Sequence, residues 1–116
     1  MEVTELVVLG HDDVFRRQFT EGGEAVDLSS ATKITASFGD VLIEGTGGAS
    51  DPLISWADSD PPPAGWVKGE VRFSLGGEAI PHGFYEVPLF YYDAVYSNGV
   101  MFGVAPVNVI EDPEAT

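Results

Sequence analysis

The chain has 116 residues, 44% of them hydrophobic, and no cysteine. That suits one globular domain over 1–116 and excludes a disulfide framework or a thiolate metal site. Five basic residues face nineteen acidic ones, a formal charge of -14, which disfavours nucleic acid and anionic membrane surfaces as partners.

The first segment, MEVTELVV, is acidic and lacks the basic start of a secretory signal. It reads as a strand over 3–9, in a protein made and folded in a cytoplasm. GHDD turns the chain into a strand over 13–19, and EGG at 21–23 supplies a tight turn, because two glycines accept positive φ at little cost. A brief return through AVDL follows. Asp27, Ser29 and Ser30 favour a turn there, since short polar side chains bond their own backbone.

KITASF alternates strictly, with Ile34, Ala36 and Phe38 on one face, and gives a strand over 32–38. FGD at 38–40 turns into a strand over 41–45. A strand over 52–56 lies between GTGGASD and the proline loop DSDPPPAG. WVKGEVRFSL then alternates over 66–75: Val67, Val71, Phe73 and Leu75 face one way, and Lys68, Glu70, Arg72 and Ser74 the wet way.

The last two strands, 83–92 and 99–110, are joined through the hairpin signal Asn98-Gly99. Each is apolar on both faces, and Pro88 and Pro106 mark them as edge or bulged strands. The 110–116 segment is an acidic, frayed tail. No stretch approaches the length of a membrane helix. The expected core is Val7, Phe15, Phe19, Leu28, Ile34, Phe38, Trp56, Val71, Phe73, Tyr85, Val87, Leu89 and Phe102. The fold class is all-β, an antiparallel sandwich of about seven to eight strands.

Chemistry-bearing residues do not assemble into a reactive set. His11, Asp12 and Asp13 are consecutive, so in a strand they point to opposite faces and make poor joint ligands. His82 lies in a separate loop. Asp51, Asp58 and Asp60 flank the proline loop but lack calcium-loop spacing. GTGG and LGG open no helix and carry no lysine, so neither is a phosphate loop. The expectation is a protein with no catalytic residue, no cofactor and no metal.

Two longer stretches carry a resemblance. VFRRQFTEGGEAVDLSSATKITASF is similar to the strand, glycine turn, V-D-L-[ST] and strand succession of small phage virion accessory proteins. VRFSLGGEAIPHGFYEVPLFYYDAVYSNGVMFG resembles their G-x-Y strand, acid and hairpin, with Gly83, Phe84, Tyr85 and Asp93 in those places. The family includes the N-terminal domain of baseplate upper proteins, and the likeness spans residues 3–110.

It implies an immunoglobulin-like β-sandwich without enzymatic activity, held in multiple copies on the tail, baseplate or head of a virion and bound to neighbouring virion proteins. Those baseplate proteins continue into a further region, whereas this chain stops at Thr116, which implies a stand-alone component. The partner surface expected is Phe84, Phe90, Tyr92 and Met101, with the acids steering it toward a basic surface. The alternative is a carbohydrate- or cell-surface-binding module, with Trp56 and Trp66 stacking on sugar rings beside the proline loop.

Overall fold

The structure, a computed structural model, describes residues 4–12 and 14–111. Val3 and Asp13, at the expected starts of the first two strands, and residues 112–116 of the tail lie outside them. The strands in chain order are β1 Glu5–Val8, β2 Phe15–Gln18, β3 Thr20–Glu21, β4 Glu24–Ala25, β5 Lys33–Phe38, whose apolar residues alternate, and β6 Val41–Gly45. A 3₁₀ turn at Gly48–Ser50 leads to β7 Ile54–Trp56, β8 Glu70–Phe73, β9 Gly83–Tyr92 and β10 Val100–Ile110.

Five strands form one sheet in the order β1-β10-β9-β5-β6, three form a second in the order β2-β8-β7, and β3-β4 is a separate hairpin around Gly22 and Gly23. The two longest strands, β9 and β10, pair antiparallel from Val100↔Tyr91 to Val109↔Gly83. Ten residues at about 3.4 Å each span roughly 34 Å, which accounts for most of the 45 Å long axis of a molecule 28 Å across. The pairing of β1 with β10 is parallel, Glu5↔Val107 to Val8↔Ile110, so the large sheet is mixed rather than wholly antiparallel.

The prolines act locally. Although β9 and β10 are central in strand order, β5 pairs with β9 only from Tyr92 to Leu89, and β1 pairs with β10 only from Val107 to Ile110. Pro88 and Pro106 are each the residue next to the point where that neighbour stops. A residue without an amide hydrogen is tolerated where a strand has one neighbour rather than two.

Inward-facing residues of the two sheets form one core. Rows such as Val7–Val109 and Ile43–Ala36–Leu89 on the large sheet pack with Phe15–Phe73–Ile54 on the small one. The Phe15 and Phe73 rings stack at 4.7 Å. Eleven of the expected core residues are buried; Tyr85 and Phe102 instead lie half-buried at its margin. Tyr85 spans from the Phe38 ring to the Pro81 carbonyl, which its hydroxyl reaches at 2.6 Å.

The strand expected over 66–75 is shorter. Glu70 N–H donates to the Val67 carbonyl, and the Glu70 carboxylate accepts from Val67 N–H, closing a turn over 67–70. Val67 is consequently 59% exposed instead of sharing the inner face with Val71 and Phe73, and Glu70, placed on the wet face, is buried beneath that turn. Asn98-Gly99 likewise closes no two-residue hairpin. It ends a loop from Asp93 to Gly99, in which Gly99 takes φ +89° and an added Cβ would lie 2.6 Å from the Tyr92 ring.

The two sheets approach closely where Gly45 of β6 meets Ile54 of β7. A Cβ on Gly45 would sit 2.2 Å from the Ile54 carbonyl oxygen, a backbone atom that cannot rotate away. Gly45→Ala should therefore destabilise the protein by about 2–3 kcal/mol. Gly77→Ala, with nothing within 4 Å of the new methyl, should stay within about 0.5 kcal/mol. Urea unfolding midpoints check both; equal midpoints would mean the sheets separate freely at this corner.

Candidate functional site

Residues directly opposite each other in a sheet point to the same side, so the register defines the outward face of the large sheet. Met101 pairs with Phe90, Val104 with Pro88, Pro106 with Glu86, and Asn108 with both Phe84 and Leu6. This face carries Leu6, Phe84, Met101 and Val104 as exposed apolar side chains, with Phe84 at 60% and Met101 at 55%. Leu42 on β6 extends the same side.

The four residues singled out from sequence therefore share one face of two adjacent strands, but not one environment. Phe90 and Tyr92 are half-buried, their rings 6.5 Å apart. Tyr92 is also clamped, with the Lys33 ammonium 4.3 Å above its ring and Gly99 packed against the ring edge. Phe84 and Met101 are the open positions.

The small sheet is different. On its outer side Arg16 lies opposite Arg72, a like-charge pair that would repel. Glu70 resolves it, accepting from Arg72 Nε at 2.8 Å and lying 3.6 Å from Arg16 Nε. The Arg72 hydrogen bond, ahead of the opposing effect of burial, holds the Glu70 carboxyl below its usual range. The Arg72 guanidinium also stacks 3.7 Å over the Trp66 ring. That stacking occupies a face of Trp66, and Trp56 is 1% exposed in the core, so the expected tryptophan platform for sugars is not formed.

The aspartates flanking the proline loop serve the backbone. Asp51 accepts from the N–H groups of Thr46, Gly47, Leu53 and Ile54 at 2.9–3.0 Å, and Asp58 accepts from Ala49 N–H at 3.0 Å. Among the described residues no group of three or more His, Cys, Asp or Glu is placed to hold a metal ion. Among the described residues no helix is long and apolar enough to cross a membrane.

A cleft of about 460 Å³ lies beside the apolar face, where the β3–β4 hairpin approaches the start of β10. Met101 borders both. A bulge between Met101 and Gly103 turns Phe102 toward the core, where it stacks on Phe19 at 5.0 Å and meets Tyr91 edge-on. The Tyr91 hydroxyl donates to Asp93. Burial, then that bond, then the charges of Asp93 and Asp27 push the Tyr91 hydroxyl pKa up. Asp93 in turn accepts from Val95 and Tyr96 N–H, which fixes the loop carrying Tyr96. Sequence reading missed this cleft because it depends on the bulge and on Asp93 bracing a seven-residue loop.

No family model, no curated protein and no solved structure matches the chain.

Asp51 is the charged group most committed to holding local structure. Burial pushes its carboxyl up, but the four backbone donors together outweigh that and hold it below the usual range. A folded-state pKa below the unfolded value of about 3.9 contributes stability above that pH, and the contribution is lost as pH falls through the folded pKa. Asp51→Ala should cost about 2 kcal/mol at pH 7, and the gap to the wild type should narrow below about pH 4. Urea midpoints taken at several pH values read the gap; one that stays constant would show that the charge of Asp51 does not hold this loop.

Proposed function

We propose that the protein is a non-enzymatic accessory subunit of a phage virion, an immunoglobulin-like β-sandwich that docks on a neighbouring virion protein through the outer face of its large sheet. The observation that carries the reading is that face: Leu6, Phe84, Met101 and Val104 stand exposed on a sheet whose other side already supplies the core. Exposed large apolar side chains gathered on one sheet face, here with Glu86 and Asn108 among them, are characteristic of interaction sites. Two packed sheets, and the succession of strands and turns over residues 3–110 that resembles the virion family, support the sandwich and the setting.

Charge selects the occupant. A second copy would bring two chains of formal charge -14 together, and like net charge opposes association. A different subunit, apolar at the centre of its patch and basic at the rim, meets both the aromatic face and the field around it.

Phe84 and Met101 project into solvent, so Phe84→Ala and Met101→Ala should each leave stability within about 0.5 kcal/mol. Each should lower incorporation into particles by up to about tenfold, the scale of a moderate interface contact. Tyr92→Ala removes the clamp with Lys33 and Gly99 and should lower stability as well. Mass spectrometry of purified particles and denaturation of the isolated variants separate the two effects. Absence of the protein from particles, or wild-type incorporation of both exposed-site variants, would overturn the reading.

A further inference from the structure

We propose that the cleft between the β3–β4 hairpin and the start of β10 binds a cationic side chain, arginine or lysine, presented on an extended segment of a partner. This goes beyond the docking face and stands independently of it. The cleft joins two kinds of surface. Val26, Val100 and Met101 give it apolar walls, while Tyr91, Tyr96 and Phe102 give it aromatic ones. Glu21 lines its rim.

Glu21 and Val26 continue into a shallow depression that also holds Glu24 and Asp27, so one side of the opening is acidic. Asp93 lies behind Tyr91 and Tyr96, bonded to both. The basic side chain near this rim is Lys68, close enough to influence Asp27, whereas Lys33 is engaged over Tyr92.

The chemistry that fits is a long aliphatic stem ending in a positive charge. The stem covers apolar wall while the head meets carboxylate and ring faces. An anionic ligand would be repelled by Glu21, and a purely apolar one would leave that carboxylate facing it without a counter-charge. The walls are set in advance: Asp93 accepts from Tyr91 and from the Tyr96 backbone, and Phe102 is held by Phe19 and Tyr91. Little ordering remains for binding to supply.

The test uses the full chain, labelled with ¹⁵N, and two synthetic tripeptides: acetyl-Gly-Arg-Gly-amide and its citrulline counterpart, which keeps the shape and loses the charge. The arginine peptide should shift the amides of Thr20, Glu21, Tyr96 and Met101 saturably, with a Kd on the order of 1 mM. The citrulline peptide should bind at least several-fold more weakly. Glu21→Gln and Tyr96→Ala, both at exposed positions, should each weaken arginine binding about two- to fivefold, the effect of one exposed ion pair or cation–π contact. Equal binding of the two peptides, no saturable shift, or shifts confined to Phe84 and Val104 on the sheet face would overturn the proposal.

Discussion

The pairing of β9 with β10 is the constraint on which the other elements depend. These strands supply the longest ladder in the molecule, and every other strand of the large sheet attaches to one of them directly or through β5. The attachments fall at opposite ends. β5 joins the C-terminal half of β9, and β1 joins the C-terminal half of β10. Since the two strands run antiparallel, the sheet is staggered, with Pro88 and Pro106 at the two steps. The bulge at Phe102 depends on the same ladder: two residues of β10 oppose Leu89 of β9, and the extra ring closes one end of the core.

A ribbon that is apolar on both sides has to satisfy two environments. Its inner residues, Val87, Leu89, Ala105, Val107 and Val109, are fully covered by the small sheet and by their own neighbours. Of its outer residues, Tyr92 is clamped by Lys33 and Gly99, whereas Phe84, Met101 and Val104 stand largely open to solvent. Exposed apolar strands of this length are an aggregation hazard, and two features counter it. The prolines remove donors at the steps of the sheet, and the net charge opposes contact between copies.

Local signals in the sequence carried most of the fold. The alternation of KITASF, the glycines of EGG and FGD, and the apolar runs around Asn98-Gly99 placed the corresponding strands to within a residue or two, because those signals act over neighbouring positions. The misplacements have a common origin in side chains that bond to distant or unforeseen backbone. Val67 and Glu70 alternate as a strand should, but the Glu70 carboxylate captures the Val67 amide and makes a turn. Asp51, which lacks calcium-loop spacing, is saturated by four backbone amides that no local pattern announces. Trp56 and Trp66 look alike in sequence; one is core and the other lies under Arg72. The parallel β1–β10 pair joins residues about a hundred positions apart, and no local pattern encodes it. Of the candidate face, alternation gave the side on which Phe84, Phe90, Tyr92 and Met101 lie. It could not distinguish the clamped Tyr92 from the open Phe84, since Lys33 reaches Tyr92 from another strand.

Four of the five cations of the chain have a partner within it, and the fifth, Lys68, lies near enough to influence Asp27. Arg16 and Arg72 share Glu70, Arg17 lies 3.7 Å from Glu5, and Lys33 covers Tyr92. With nineteen acids against five cations, the outward field is predominantly negative. At physiological ionic strength that field decays over about 8 Å, so it acts on an approaching body only in the last moments before contact. Association and dissociation then answer to different parts of the molecule. The encounter rate varies with salt through the acids, and the lifetime of a complex varies with how well water is expelled from the aromatic and aliphatic surface.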